Sequence, residues 1–532
     1  MQAIEAALTM AAAAFAGVTA TVALERLLRP TPFFCRPIQA WAAHAGIWCW
    51  AYGVCLALLG HPWLAAGCVT VVFFILVLVN NAKMQSLHEP FVFQDYEYFI
   101  DVLKFPRLYM PFFGWKNFFI AAASVLLFLL LSWHTAFLSV SQYKRAHALC
   151  GGSVLVGAGT LCLYLARRRP LHTSFEPAHD VQNLGLLPCL WQYALASRAL
   201  PRVESPFTRL HLPQTGNPLP HMVAVQSESF FDPGTVFPGI RTDLLSEYHR
   251  LKAEATTRGR LSVPAWGANT VRTEFAFLSG ISNASLDAHR FNPYRALTRG
   301  WQVSSLAQFL RSAGYRTICI HPYYKSFYLR DRVFPLLGFD EFRDITAFSQ
   351  ADRYGPYTGD VPVAEKVLEA LHTAETPLFL FVITMENHGP LYLEKVRPED
   401  AAELYAQPPQ SPCDELTVYL RHIRNADAMI GSLRQGLENM AHPASLCWYG
   451  DHLPILAQAY GMYESLPGEV EYVLWSNQKK DGHACRDLES HHLALEWCRS
   501  HLELCPPVLI PSQQKKPENY PAFFAGEQNP QS

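Results

Sequence analysis

The sequence predicts two regions of different fold class: an α-helical membrane domain in the first third, and an α/β domain with a central mixed, mainly parallel sheet in the rest. Half of the 532 residues are hydrophobic, and the long runs almost free of charge all lie in the first third. Beyond residue 220, short apolar runs alternate with helical patterns, as buried parallel strands and their crossover helices do. Several of these runs end in polar side chains, where α/β sheets place their ligand sites.

The membrane domain is predicted to occupy residues 1–169 and to contain about five helices. About 20 apolar residues are needed to cross the hydrocarbon core of a bilayer. The runs that meet or approach this length are Ala6–Leu24, Ala40–Leu59, Trp63–Val79, Phe118–Phe137 and Leu149–Ala166. The aromatic segment His88–Phe113 lies between the third and fourth runs, and we interpret it as either an interfacial element or an ordinary loop.

The charge distribution excludes one class of partner and bears on topology. The net charge is -2 and no basic cluster is interleaved with aromatic residues, so nucleic-acid binding is not expected. Arg167, Arg168 and Arg169 follow the fifth run, and the positive-inside rule would place the chain beyond them in the cytoplasm. Long domains, however, translocate largely regardless of flanking charge.

Three further segments follow the membrane domain. Residues 170–220 contain several prolines and one short amphipathic stretch, Leu184–Leu200, which indicates a juxtamembrane connector. The α/β domain is predicted over residues 221–510. Residues 511–532 are rich in Gln, Lys, Pro and Asn and are expected to be a disordered tail.

Polar, metal-capable side chains follow four of the predicted buried strands. The strands are Met222–Val225, Thr317–Ile320, Leu378–Ile383 and Leu446–Tyr449. The side chains that follow them are, in the same order, Glu228, His321, His388, and Asp451 with His452. Because ligands of open α/β sheets bind outside the carboxyl ends of the strands, we expect these side chains to meet at one edge.

The stretch Leu261–Gly280, LSVPAWGANTVRTEFAFLSG, places Thr270 where a helix is predicted to begin. The unpaired N–H groups of a first helical turn and the helix dipole favour an anionic ligand there. A threonine hydroxyl becomes a usable nucleophile when its alkoxide is stabilised. The alternative is that Thr270 only caps the helix through its side chain.

Glu228, Thr270, Asp451 and His452 together offer two carboxylates, one hydroxyl and one imidazole. This set suits Mn²⁺, Mg²⁺ or Zn²⁺. A divalent ion would stabilise a threonine alkoxide and neutralise a phosphate oxygen during in-line attack. Taken singly, Glu228 is equally well a surface carboxylate, and Asp451 with His452 a helix cap and its polar neighbour. As a set at one sheet edge they favour a metal site.

The segments VAVQSESFFD, GANTVRTEF and WYGDHLPIL, in this order, resemble those of the lipoteichoic acid synthase and phosphoglycerol transferase family of the alkaline phosphatase–sulfatase superfamily. The resemblance implies a sulfatase-like catalytic domain at 221–510. It also implies that Glu228, Thr270, Asp451 and His452 hold Mn²⁺ or Mg²⁺, with Thr270 as the nucleophile.

Two more segments, HPYYKSFYLRD and TMENHGP, resemble the part of the family that holds the phosphoglycerol head group. By this resemblance His321, Tyr328, Arg330 and His388 would contact substrate, and His388 would also carry a proton. The sequence departs from the best-known members at Tyr328, where they have Trp, and at Tyr323, where they have an Asp that helps to hold glycerol.

The resemblance implies a membrane-anchored enzyme whose catalytic domain lies outside the inner membrane. It would move a phosphoglycerol group from phosphatidylglycerol, through a Thr-linked intermediate, to a glycan or polyol-phosphate acceptor in the cell envelope. The alternatives are a phosphoethanolamine transferase, a phosphodiesterase that uses water, and a non-catalytic lipid-binding envelope protein.

Several assignments stay open at the level of the residues. The alternative for Arg330 is a salt bridge with Asp331 or Asp340. His491–His492 has no motif around it and is interpreted as a surface pair. The 13 cysteines include Cys485, Cys498 and Cys505, which allow one disulfide if the domain is exported.

Overall fold

The first third of the chain forms a helical membrane domain. The computed structural model describes residues 2–97, 106–138, 145–169, 171–212, 218–409, 411–463, 468–478, 483–502 and 504, so the predicted tail at 511–532 lies outside the described residues. Within those ranges, five helices are long and apolar enough to cross a membrane, which confirms that prediction. They are α1 Gln2–Leu24, α2 Ile38–Leu59, α3 Pro62–Leu87, α5 Trp115–Leu138 and α6 Arg145–Arg168.

Helix α3 continues beyond the apolar run from which it was predicted. Its last turns are polar, and their side chains bind neighbouring backbone instead of ending the helix. The Nδ2 atoms of Asn80 and Asn81 donate to the carbonyl oxygens of Arg29 and Leu27, at 2.9 and 2.7 Å. The short helix α4, Pro106–Phe113, lies within the segment His88–Phe113 and precedes α5.

Helices α2 and α6 pack through glycines. A Cβ atom on Gly53 would lie 2.7 Å from the carbonyl oxygen of Gly152, and one on Gly152 would lie 2.6 Å from that of Gly53. Gly46 and Gly159 make the same reciprocal contact. Small residues allow this close backbone approach between helices in a bilayer.

Two short helices form the connector. They are α7 Pro177–Leu184 and α8 Leu186–Ala196, and they meet at Gly185, whose φ of 86° ends the first helix. The single amphipathic stretch predicted at Leu184–Leu200 is therefore a helix that begins after this glycine. The Tyr193 ring stacks on Phe291 of the following domain at 5.3 Å.

The remaining described chain is an α/β domain built on a mixed, mainly parallel sheet, as predicted. The nine strands of the main sheet are β1 His221–Ser227, β2 Thr257–Ser262, β3 Arg316–Ile320, β4 Glu341–Arg343, β7 Leu378–Ile383, β8 Ala444–Gly450, β9 Val470–Ser476, β10 Ala484–Cys485 and β11 Leu488–Glu489. Their order is β10-β2-β9-β8-β1-β7-β3-β4, with β11 paired to β2. Strands β5 Arg353–Tyr354 and β6 Tyr357–Thr358 form a separate antiparallel pair.

Helices cover this sheet. They are α9 Ser246–Glu254, α10 Thr270–Ser279, α11 Tyr294–Thr298, α12 Leu306–Ser312, α13 Arg330–Leu336, α14 Asp360–His372, α15 Asp400–Leu404, α16 Asp414–Glu438, α17 Ala457–Tyr463 and α18 Ser490–His501. Helix α10 packs its apolar face on the centre of the sheet, where Phe277 stacks on Tyr449 at 4.8 Å and on Phe381 at 5.8 Å. This packing sets the position of Thr270 at the start of the helix.

The register of the central strands brings the predicted site residues to one edge. Strand β1 lies between β7 and β8 and is parallel to both. Ser227 at the end of β1 is opposite Gly450 at the end of β8, so the next residues, Glu228 and Asp451, leave the sheet side by side.

Candidate active site

Thr270 is the first residue of α10 and lies in a turn that only a few residue types adopt. Asn269 occupies the N-cap position with φ 66° and ψ 37°, and it makes no side-chain cap hydrogen bond. Asn tolerates this left-handed conformation better than most residues. The alternative that Thr270 is the cap is therefore wrong. One turn later, the Thr273 hydroxyl donates to the Asp451 carbonyl oxygen at 2.8 Å, which joins the helix to the end of β8.

Glu228, Asp451 and His452 form a buried cluster with the geometry of metal ligands. One ligand atom from each lies within 4.8 Å of the others. The His452 Nε2 atom is 3.5 Å from Glu228 Oε1 and 3.4 Å from Asp451 Oδ2. All three residues are buried, so the alternative of a surface carboxylate is wrong. Asp451 is not a helix cap either, because the next helix, α17, begins at Ala457.

The electrostatics of this cluster fit a divalent cation. Burial, and then the carboxylate of Asp451, raise the pKa of Glu228 to about 8. Asp451 Oδ2 is buried without a hydrogen-bond donor. The His452 Nδ1 atom is 3.1 Å from the Leu453 carbonyl oxygen, so we assign its proton there and the lone pair of Nε2 faces the carboxylates. A bound metal ion would satisfy Asp451 Oδ2 and the lone pair of His452 Nε2, which otherwise face each other without a donor.

One cavity is lined by Glu228 of this cluster, by Thr270 and by all four residues predicted to contact substrate. Its lining includes Glu228, Asn269, Thr270, His321, Phe327, Tyr328, Arg330, Met385 and His388. The four predicted strand ends therefore deliver their side chains to one place. Tyr323 packs against Phe327 of this lining at 5.5 Å, in the position where the resemblance would place an acidic residue.

Arg330 is held by a carboxylate that the sequence did not single out. Its Nε and Nη2 atoms donate to Oε1 and Oε2 of Glu274, at 3.1 and 2.8 Å, and Arg330 is only 1% exposed. The alternative that Arg330 forms a salt bridge with Asp331 or Asp340 is wrong, because Glu274 is its partner. Asp340 pairs instead with Arg311 at 3.0 Å. Glu274 lies four residues after Thr270, on the same face of α10, which is a signal the sequence did contain.

The two histidines of the cavity differ in what they can do. His321 Nδ1 lies 3.1 Å from the Ile383 carbonyl oxygen and its Nε2 lies 3.3 Å from Arg330 Nη1, which commits both ring nitrogens. Burial, and then the charge of Arg330, hold the pKa of His321 well below its usual value. His321 is therefore a neutral acceptor that orients the guanidinium.

His388 keeps one ring nitrogen for chemistry. Its Nδ1 is 2.7 Å from the Gly389 carbonyl oxygen and 3.4 Å from the Tyr357 hydroxyl. We assign the proton to Nδ1 on this ground, which leaves the lone pair of Nε2 to accept a proton. Burial lowers the pKa of His388, although the charge of Asp451 opposes the shift.

The remaining predicted positions lie outside this cavity. His491 and His492 are half-buried, with ring centroids 3.9 Å apart, so their interpretation as a surface pair is wrong. Cys485 is exposed and Cys498 is buried, and both are free, while Cys505 lies outside the described residues.

Comparisons with known proteins agree with this architecture. A family model described as Sulfatase matches residues 220–495, more than half of the chain. The capsular polysaccharide biosynthesis protein RkpI of Rhizobium meliloti (strain 1021) is 34% identical over 240 residues, 44% of this chain and 42% of the relative. Lipoteichoic acid synthase 1 of Bacillus subtilis (strain 168) is 30% identical over 84 residues, 15% of this chain and 13% of the relative.

Each match spans less than half of the curated relative's own length. The match to a lipoteichoic acid synthase confirms the resemblance drawn from the motifs. The solved structure of the lipooligosaccharide phosphoethanolamine transferase A of Neisseria meningitidis, an integral membrane protein, has a TM-score of 0.56 at 12% identity. It covers 93% of this chain and 96% of its own, which shows that the membrane and α/β regions share one overall fold with it.

Proposed function

Since this chain belongs to the sulfatase family, we propose that it is a membrane-anchored transferase that moves a phosphoglycerol group from phosphatidylglycerol to a glycan or polyol-phosphate acceptor. The observation that carries the proposal is one cavity lined by Thr270, by the buried Arg330 and by Glu228, which belongs to the Glu228–Asp451–His452 cluster. A nucleophile, a metal site and a fixed positive charge in one cavity are the parts that transfer of a phosphoryl group needs.

The metal would be held by Glu228, Asp451 and His452 together with the Thr270 hydroxyl, and we propose Mn²⁺ or Mg²⁺. When bound, it would supply charge that stabilises the threonine alkoxide and a phosphate oxygen. Arg330 presents an oriented guanidinium to the same cavity, because Glu274 and His321 fix its plane.

In the first half-reaction, the Oγ atom of Thr270 forms a bond to phosphorus and the bond to the diacylglycerol oxygen breaks. His388 Nε2 takes the proton of the Thr270 hydroxyl and gives it to the departing oxygen, because its lone pair is the uncommitted one. In the second half-reaction, an acceptor hydroxyl bonds to phosphorus, the bond to Thr270 breaks, and the acceptor's proton returns to Thr270.

Phosphatidylglycerol is proposed over phosphatidylethanolamine because an ammonium group needs an acidic partner. Among the described residues that line the cavity, the carboxylate is Glu228, which belongs to the metal cluster. Tyr323 beside the cavity adds no charge. The likeness to RkpI, which is named as a capsular polysaccharide biosynthesis protein, supports a glycan acceptor. We propose further that the catalytic domain lies outside the inner membrane, where such acceptors are found.

The test is the intact mass of the full-length protein after incubation with Mn²⁺ and either phosphatidylglycerol or phosphatidylethanolamine. We expect a glycerophosphoryl adduct on the wild type, with release of diacylglycerol, and none on Thr270→Ala. An adduct formed from phosphatidylethanolamine instead would replace the donor and keep the mechanism. Diacylglycerol release from neither lipid would overturn the proposal.

A further inference from the structure

The helix that carries Thr270 is tied to the membrane domain by a largely buried ion pair. Arg272, two residues after Thr270 on α10, donates from Nη1 and Nη2 to Oε2 and Oε1 of Glu89, at 2.8 and 2.9 Å. Glu89 lies in the segment that follows α3, 183 residues away in sequence. Two parallel hydrogen bonds from a planar guanidinium to a carboxylate fix orientation as well as distance.

Glu89 is itself held firmly to the end of α3. Lys83, in the last turns of that helix, donates from Nζ to Glu89 Oε1 at 2.5 Å and to Asp95 Oδ2 at 2.6 Å. Lys83 and Asp95 are 8% and 2% exposed. Asp95 Oδ2 also accepts from the backbone N–H of Val92 at 2.8 Å. The segment around Glu89 is therefore a fixed part of the membrane domain.

Apolar and aromatic groups pack beside this network. The Arg272 guanidinium lies 5.3 Å from the centre of the Phe291 ring, and the His88 ring stacks on Trp266 at 5.0 Å. Phe291 of the catalytic domain packs in one cluster with residues of the membrane domain and the connector. Its buried partners there are Leu28, Phe73, Val77, Val92, Val181, Leu186, Cys189 and Tyr193. Charge pairs in such surroundings are screened little by salt.

We propose that Glu89 is a positioning residue through which the membrane domain sets the orientation of Thr270 against the metal ligands. Helix α10 is short and continuous, so a shift at Arg272 displaces Thr270 as well. The catalytic consequence rests on the proposed function. A misplacement of about 1 Å between reacting groups costs on the order of 100-fold in rate. The membrane domain thus anchors the chain and also completes the active site.

The decisive comparison is between Glu89→Gln and Glu176→Gln in the full-length protein in lipid nanodiscs. Glu176 forms another ion pair at the junction, with Arg290 at 3.0 Å, but it has no contact with α10 among the described hydrogen bonds and is exposed. Backbone hydrogen exchange in peptides covering 268–279 should be faster in Glu89→Gln than in the wild type, and unchanged in Glu176→Gln. This measurement needs no substrate, so it decides the inference even if the proposed function fails.

The second readout is kinetic and uses a water-soluble, short-chain phosphatidylglycerol. Glu89→Gln should lower kcat by about 100-fold, as a misplaced nucleophile does, with little change in KM, because the head-group side of the cavity is untouched. Arg272→Lys keeps the positive charge but loses the planar guanidinium that makes two parallel hydrogen bonds. This variant should fold, and its kcat should lie between those of the wild type and Glu89→Gln. Hydrogen exchange at 268–279 that is as slow as in the wild type in both Glu89→Gln and Arg272→Lys would overturn the inference. A raised KM with unchanged kcat would also overturn it.

Discussion

Replacing Glu274 with Gln should destabilise the catalytic domain more than any surface charge change. The substitution leaves the Arg330 guanidinium, which is 1% exposed, without a counter-ion. It also weakens the acceptor of the Tyr294 hydroxyl, which hydrogen-bonds to Glu274 Oε1. Breaking a buried ion pair by removing one partner costs about 3–5 kcal/mol.

The assay is thermal unfolding of the full-length protein in detergent, followed by tryptophan fluorescence. At about 2–4 °C per kcal/mol for domains of 150–250 residues, the expected fall in Tm is roughly 6–20 °C. The matched control is Glu204→Gln, which breaks a pair with Arg209 whose side chains are 73% and 80% exposed. Exposed pairs contribute about 0–1 kcal/mol, so its Tm should stay close to that of the wild type.

A double variant separates stability from catalysis. Glu274→Gln with Arg330→Met removes both charges and keeps an acceptor for Tyr294, so most of the lost Tm should return. Formation of the Thr270 adduct should not return, because the guanidinium that lines the cavity is gone. A Tm of Glu274→Gln equal to that of the wild type would show that Arg330 does not depend on Glu274, and would refute the reasoning.

Three further predictions concern the cavity and the helix packing. Neutral His388 accepts the proton and burial lowers its pKa, so turnover should stay high until the pH falls below the ordinary imidazole value of about 6.5. The acid limb of the pH–rate profile should disappear in His388→Gln. An acid limb that persists in this variant would belong to another group. Glu228→Gln should abolish Mn²⁺ binding in calorimetry, and retained binding would exclude Glu228 as a ligand. The metal-free variant should unfold at the wild-type temperature or higher, because burial beside Asp451 already disfavours the ionised form of Glu228. Gly53→Val should lower Tm, because its Cβ atom would meet the Gly152 carbonyl oxygen at 2.7 Å. The matched control is Gly157→Val, which has nothing within 4 Å of the added Cβ and should keep the wild-type Tm. Equal Tm values for the two variants would contradict the close packing of α2 and α6.

The sequence predicted the strand ends well because the relevant signals are local. A buried parallel strand is a continuous apolar run, and the residue after it must leave the sheet at its carboxyl edge. Four such runs therefore indicated that Glu228, His321, His388 and Asp451 would meet. The membrane spans were predicted on the same basis, since the length of an apolar run is visible without knowledge of the fold.

Some interpretations were wrong because they depended on what lies next to a residue in space. For Arg330, the sequence offered Asp331 or Asp340 as alternative partners because they are near in the chain, yet the packing of α10 on the sheet brings Glu274 to it. The pair His491–His492 was expected at the surface because no motif surrounds it, yet both residues are half-buried.

The sequence by itself determined the helical membrane domain, the α/β domain and the set of side chains at the sheet edge, because hydrophobic periodicity and motif order are properties of consecutive residues. Only the tertiary structure decided which partner each buried charge takes. The pairs Arg330–Glu274 and Arg272–Glu89 join segments 56 and 183 residues apart. A buried charge is stabilised by the nearest opposite charge in space, and that distance is set by how helices and strands pack.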